Sequence, residues 1–310
     1  MSFRPMRSGD HLLLIDGSGL LWRGYHANAK VTRSSDGHPV GAIAGFCGRL
    51  WSLLEDRAIA GTTHAAVIFD AGRRNWRHDL SPAYKANRPP APDEITCQFQ
   101  AVRDACGALP IPVVEMAGYE ADDLIATYTR RAVGAGAAVT IATADKDMMQ
   151  LVSDADGVCM FDQAKRATIR DEGVFERFGV PPAQVLDVLA ICGDAVDNVP
   201  GVPGIGAKGA PALVREFGGV EEILSLAAGG SKHKHVLRVA EHADLARLSH
   251  RLAALDATVP VTVSLAHFGR VEPDLATFGA FLRHWDLDSV AARICGDASP
   301  DEPRRRGEAA

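Results

Sequence analysis

Carboxylates concentrate at five places in the sequence. The apolar run 11–16 (HLLLID) ends in Asp16, and the run 65–70 (AAVIFD) ends in Asp70. A third run, 137–143 (AAVTIAT), leads directly to Asp145 and Asp147. Glu120, Asp122 and Asp123 crowd into four residues at the start of a helix-like segment, and Asp194 and Asp197 lie in the stretch GDAVDN. A single acid at a helix start caps it and complements its dipole. Three acids there repel one another, at about 1–4 kcal/mol per close pair at surface-like dielectrics. Divalent cations remove that repulsion. Every donor is an oxygen, with no His or Cys among them, so hard Mg²⁺ or Mn²⁺ suits the set better than zinc, many of the acids acting through water. Two such ions about 4 Å apart can clamp the attacking and leaving oxygens of a phosphodiester.

The elements that deliver these acids read as strands alternating with helices. The runs 11–16, 65–70 and 137–143 are buried strands. Gly17-Ser18-Gly19 reads as a turn, and residues 40–54, 93–107 and 121–132 read as helices. The expected fold is therefore α/β, a mostly parallel sheet flanked by helices. Open α/β sheets bind ligands at the carboxyl ends of their strands, where three of the acid groups would fall. Residues 72–93 differ: Arg73, Arg74, Arg77, Lys85 and Arg88 stand among prolines 82, 89, 90 and 92, as in an exposed basic loop or arch. From residue 171 the pattern turns helical, with helices expected at 172–178, 182–192 and 210–217, a basic helical stretch at 226–255 and a weak strand at 257–265. The expected division is a nuclease-like sheet unit at 1–170, a helical unit at 171–296 and a disordered polar tail at 297–310.

Residues 201–209 (GVPGIGAKG) precede a helix. Gly204 to Gly209 fits G-x-G-x-x-G, but no strand comes before it, so the dinucleotide reading fails. No Gly-Lys-Ser/Thr follows, so neither is it a P-loop. A tight turn between helices remains. Gly201, Gly204 and Gly206 would let backbone amides approach phosphates, and Lys208 would add charge. Asp194 and Asp197, just before it, fit either an ordinary turn or the acid set.

The chain has 310 residues, 47% of them hydrophobic and 23% charged, with a net charge of −6. That composition fits a globular protein of one large domain or two closely joined ones. The net acidity argues against a nucleic-acid partner until the clustered acids are set aside; the remainder is then net basic. Six scattered cysteines form no C-x-x-C pair and read as reduced thiols. No signal-like or membrane-length apolar run occurs, and the expected location is the cytoplasm.

In combination, the motifs LLIDGSGLLWRGYHA, VIFDAGRRNWRHDLSPAYKANR, YEADDLIATYTR, TADKDMMQLV and GDAVDNVPGVPGIGAKGA resemble the 5′-3′ exonuclease domain of bacterial DNA polymerase I and the flap endonuclease superfamily. The resemblance runs from about residue 12 to 265. It implies a PIN-like fold with a helical arch and a helix-three-turn-helix element. Asp16, Asp70, Glu120, Asp122 and Asp123 would gather around a first Mg²⁺, and Asp145, Asp147, Asp194 and Asp197 around a second, with Mn²⁺ as substitute. Lys85 and Arg88 would meet the scissile phosphate, Tyr84 would stack on a base, and Arg23 would lie near the site. The turn 201–209 would grip duplex DNA and hold K⁺ through carbonyls. Lys208-Gly209-Ala210 departs from the family's usual Lys-Thr-Ala. The implied partner is DNA with 5′ flaps, nicks or 5′ ends, cut by a monomeric, stand-alone nuclease. A non-catalytic structure-specific DNA-binding protein and a PIN-like ribonuclease are the rival readings.

Overall fold

In a computed structural model, which describes residues 3–296, a six-stranded sheet forms the centre. Its strands are β1 (His11–Asp16), β2 (His64–Ile68), β3 (Val113–Val114), β4 (Ala138–Ala142), β5 (Val158–Asp162) and β6 (Ala167–Ile169). They lie in the order β3-β2-β1-β4-β5-β6, and all pairs are parallel except the β5–β6 edge. Strands covered on both faces read as continuous apolar runs rather than alternating ones. In β1 this shows directly: Leu12 and Leu14 join one core, Leu13 and Ile15 the other, and all four are fully buried.

The helices in chain order are α1 (Gly17–Asn28), α2 (Gly41–Leu54), α3 (Trp76–Leu80), α4 (Asp93–Thr96), α5 (Phe99–Ala108), α6 (Ala121–Gly134), α7 (Asp171–Phe178), α8 (Val185–Cys192), α9 (Gly209–Phe217), α10 (Val220–Ala228), α11 (Lys234–Glu241), α12 (Ala243–Ala253), α13 (Leu275–His284) and α14 (Asp288–Cys295). Helix α6 lays Leu124, Ile125, Tyr128 and Ala132 on the Leu12/Leu14 face, and this core continues into α8 to α12. Helices α1, α2 and α5 cover the Leu13/Ile15 face.

Several expectations are corrected. Gly17-Ser18-Gly19 is not a turn but the first residues of α1. The Asp16 carboxylate accepts from Gly19 N at 2.7 Å, capping a helix that starts directly at the strand end. Gly17 is required there, since a Cβ would lie 2.6 Å from Val67 Cγ1. The helix expected at 93–107 is broken between α4 and α5. The basic stretch 226–255 is three helices, with Gly229-Gly230 and His242 at the breaks. Residues 257–265 form no strand: Val259 and Val261 are buried, but Val259 N donates to Thr127 Oγ1 and Val263 O accepts from Tyr128 Oη, so side chains replace a ladder. Helices α13 and α14 leave the helical unit expected at 171–296. Phe278, Leu282 and Ile294 enter the core of the Leu13/Ile15 face beside α2 and α5. The tail at 297–310 lies outside the described residues. Among those residues, no helix is long and apolar enough to cross a membrane.

Helices α1 and α2 pack through bare backbone. A Cβ on Gly45 would stand 2.4 Å from Gly24 O, and one on Gly24 2.7 Å from Phe46 N. Backbone cannot yield as a flexible side chain can. Gly45→Ala is expected to lower the unfolding free energy by about 1–3 kcal/mol, the usual result of overpacking, measured by urea denaturation. Stability unchanged from the parent chain would show that α1 can move off α2.

Candidate active site

Strands β2, β1 and β4 are neighbours; Asp16 is the last residue of β1, and Asp70 and Asp145 follow the carboxyl ends of β2 and β4. The chain leaves β1 for β2 on one side and enters β4 on the other, so the acids sit at the switch point where open sheets form a crevice. Helix α6 starts over this crevice. Its backbone Ala121 N donates to Asp70 Oδ1 at 2.9 Å, tying the helix start to the β2 end. Asp122, in the first turn of α6, is the electrostatic centre. Burial pushes its carboxyl well above the usual range, and Asp145, Asp16, Glu120 and Asp70 add to the rise. Asp16 is pushed up to about 6, chiefly by burial and further by Asp70 and Asp145, against hydrogen bonds from Gly19 N and Thr143 Oγ1.

A second group adjoins the first. Asp145 caps a short 3₁₀ turn (Lys146–Leu151), accepting from Asp147 N at 2.9 Å. Burial pushes Asp147 up to about 7, and Asp145, Asp194 and Asp197 reinforce the shift while Lys146 opposes it. Asp147 Oδ1 is buried with no hydrogen-bond partner. Asp194 ends up below the ordinary carboxylate range: burial raises it, but the hydrogen bond from Lys146 Nζ, at 2.6 Å, and backbone donors outweigh that. Asp197 pairs with Arg88 and stands 3.5 Å from Lys85 Nζ. Glu120 accepts from Lys85 Nζ at 2.5 Å and from Tyr84 Oη at 2.9 Å. The segment 72–93 is therefore not a free-standing arch. It is folded down over the acids, with only the short α3 and α4 as helices.

Four residues depart from their expected places. Asp123 turns away from the cluster. Its Oδ1 accepts from Arg77 Nη2 (2.7 Å) and Asp256 N (2.9 Å), and its Oδ2 from Arg77 Nη1 (2.8 Å) and Trp76 Nε1 (3.1 Å). With both oxygens engaged and none of the side chain exposed, Asp123 has no lone pair directed at the crevice. Arg77, expected in an exposed basic loop, is its buried counterion. Tyr84, expected to stack on a base, is only 3% exposed and packs with Val199 and Leu252. Gly201, likewise, is buried against Gly193, where a Cβ would lie 2.5 Å from Gly193 N. It shapes the turn rather than presenting amides to a ligand. Gly204, Gly206 and Lys208 do lie exposed, just ahead of α9.

Arg23 lines a cavity of about 460 Å³ with Asp16, Trp22, Asp145, Lys146 and Arg177. On the other side of Trp22, a cavity of about 260 Å³ holds Asp70, Lys85, Arg88 and Glu120. The sequence reading missed Lys146, Thr143 and Arg177. Lys146 carried a usable signal, as a cation set between Asp145 and Asp147 that must pair with some carboxylate. Arg177 had none, because it comes from α7, far along the chain.

Among the described residues, no three His, Cys, Asp or Glu side chains close on a common point as an ion's ligands do. Lys85, Arg88 and Lys146 draw Glu120, Asp197 and Asp194 to themselves instead. The donors nevertheless fit hard divalent cations: all are oxygens, Asp147 Oδ1 is buried without a partner, and Asp16, Asp122 and Asp147 are held above their ordinary range by burial and by neighbouring acids.

Residues 11–179 match the N-terminal resolvase-like domain of 5′-3′ exonucleases, and residues 180–276 their C-terminal SAM fold. DNA polymerase I of Rhizobium leguminosarum is 42% identical over 306 residues, covering 96% of this chain and 30% of that protein. Thermostable DNA polymerase I of Thermus thermophilus is 36% identical over 279 residues, covering 90% of this chain and 32% of that protein. The chain thus spans about a third of the length of these relatives. The zinc-bound bacteriophage T5 5′-exonuclease superposes with a TM-score of 0.66 at 25% identity, covering 91% of this chain and 99% of that one. A variant bacteriophage T5 flap endonuclease in complex with DNA and metal ions shares the fold, with a TM-score of 0.64 at 24% identity over 92% of this chain and 97% of that one. Sheet, acids and matches define a hydrolytic nuclease. Within that class, the chain belongs to the 5′-3′ exonuclease family.

The two kinds of acid predict opposite responses. Arg77→Ala strands Asp123 as a buried charge and is expected to lower stability by about 3–5 kcal/mol. Asp122→Asn removes a repelled charge and is expected to leave stability equal or higher; denaturation of both variants checks the contrast. Asp16 and Asp147 also set a pH dependence. Free Asp titrates near 3.9, so these two favour the folded chain fully below pH about 4 and lose that contribution as pH rises through about 6 and 7. In chelator, melting temperature is expected to fall between pH about 4 and 7, less steeply in Asp147→Asn. Scanning fluorimetry would refute this if wild type and variant ran parallel.

Proposed function

We propose that the chain is a structure-specific 5′-3′ exonuclease and 5′-flap endonuclease that hydrolyses DNA phosphodiesters with the help of two Mg²⁺ ions, Mn²⁺ substituting. The observation that carries this reading is the gathering of Asp16, Asp122 and Asp147 at the carboxyl edge of the sheet, each raised by burial and by neighbouring carboxylates, Asp145 among them in every case. Asp16, Asp70, Asp122 and Glu120 would hold one ion and Asp147, Asp194 and Asp197 the other, with Asp145 between the two groups. When bound, the ions supply charge neutralisation for the scissile phosphate and ease the ionisation of water. Asp123 is not part of this proposed set.

The remaining work falls to the chain's own side chains. Burial works against the charge on Lys85, but Glu120 and Asp197 outweigh it and raise its pKa, so the ammonium stays protonated. Lys85 and Arg88 would exchange these carboxylates for non-bridging oxygens of the scissile phosphate, fixing its orientation. Arg23, across Trp22, would contact the same strand. Gly204, Gly206 and Lys208 would hold the duplex through its backbone, with K⁺ at the turn's carbonyls, so that recognition is by shape rather than base sequence. The product would carry a 5′-phosphate. In this reading the protein acts as a monomer in the cytoplasm on 5′ flaps, nicks and 5′ ends.

A labelled 5′-flap substrate tests the proposal. Cleavage is expected with Mg²⁺ or Mn²⁺ and none in chelator. Asp122→Asn is expected to lose at least about a thousandfold in rate while still binding the flap. Flap binding without cleavage by the unaltered chain would make it a DNA-binding protein instead. Lys208→Ala is expected to weaken binding alike on all sequences and to reduce the salt slope of log K by about 1.

A further inference from the structure

Besides the Asp197 ion pairs, residues 83–88 and the turn 194–198 are joined by three contacts that use no acid side chain. Asn198 Nδ2 donates to Ala83 O at 2.6 Å, and Asn87 Nδ2 donates back to Ala195 O at 2.8 Å. Between them, the backbone N–H of Lys85 donates to Asp197 O at 2.9 Å. Two asparagines thus cross in opposite directions over one central backbone bond. Both Lys85 (φ 51°) and Asn198 (φ 56°) are left-handed. Asparagine adopts that conformation readily, whereas for lysine it costs about 1 kcal/mol or more and persists only where the surroundings impose it. The turn is itself anchored: Asp194 and Val199 exchange backbone bonds, and Gly201 N donates to Ser249 Oγ in α12. The same turn runs on into the exposed Gly204–Lys208 surface.

We propose that Asn198, with Asn87 as its counterpart, is a positioning residue. It holds Lys85 in its left-handed conformation above the acids and fixes Lys85 and Arg88 to the turn that leads into the duplex-binding glycines. Seating a duplex on that turn would then also register the two cations against the scissile phosphate. This assignment rests on the nuclease reading proposed above.

Asn198→Gly keeps the left-handed backbone accessible and removes only the side-chain donor. Asn87→Ala removes the opposite donor at an exposed position. In single-turnover cleavage of a saturating 5′ flap with Mg²⁺, Asn198→Gly is expected to be about tenfold slower, with KM within about twofold of the parent. If Asn198 acts through Lys85, the double variant Lys85→Ala/Asn198→Gly is no slower than Lys85→Ala alone. Without DNA, the Lys85 amide is expected to exchange hydrogen about tenfold faster in Asn198→Gly. A Lys85 amide whose exchange is unchanged in both asparagine variants, or a rate loss that multiplies with that of Lys85→Ala, overturns the proposal. If the parent chain cuts no DNA, the nuclease reading fails, while the exchange measurement still decides the role of the two asparagines.

Discussion

Arg77 is the residue on which the architecture closes. All five of its N–H groups are used: Nε on Leu252 O, Nη1 on Glu120 and Asp123, and Nη2 on Asp123 and Ala254 O. One buried guanidinium therefore joins α3, the start of α6 and the residues around the end of α12. All three line one small cavity together with Asp147, Asp194 and Asp197. Taking such a charge out of water is unfavourable unless partners satisfy it, and a bidentate carboxylate with two carbonyls does so. Asp123 is spent on this joint, which leaves Asp122, one residue earlier and about 100° round the helix, to face the acid cluster.

The cluster beyond that joint is held under electrostatic tension. Burial and repulsion from neighbouring acids push Asp16, Asp122 and Asp147 upward, while Lys85, Arg88 and Lys146 relieve the acids around them. Those cations come from the segment lying over the site or from between the acids. The same side chains that offset the carboxylates are thus in place to meet a phosphate once divalent charge takes over that task. The net charge of −6 hides this arrangement, because the acids are concentrated at one crevice and the bases that answer them sit directly above it.

How much of this could be read from the sequence depends on the range of the interaction. Strand-end acids were legible because a buried parallel strand is an uninterrupted apolar run, so Asp16 and the run before Asp70 place themselves. Asp122 and Asp123 were not separable: adjacent helical residues point about 100° apart, but nothing local says which direction is the crevice. That is settled by Arg77, 46 residues earlier. Tyr84 and Arg77 looked exposed because their neighbours are basic and proline-rich, and only the docking of 72–93 onto α12 and the 194–198 turn buries them. Gly17-Ser18-Gly19 was misread because residues that make turns also start helices, and the deciding fact is the Asp16 cap. The return of α13 and α14 to the Leu13/Ile15 core carried no sequence signal beyond amphipathic spacing.

The most direct measurement is an anomalous difference map from crystals of the chain grown with Mn²⁺. Two peaks are expected in the crevice, one bounded by Asp16, Asp70 and Asp122, the other by Asp147, Asp194 and Asp197, with Asp123 still paired to Arg77. No peak in the crevice, or a peak coordinated by Asp123, would contradict this assignment.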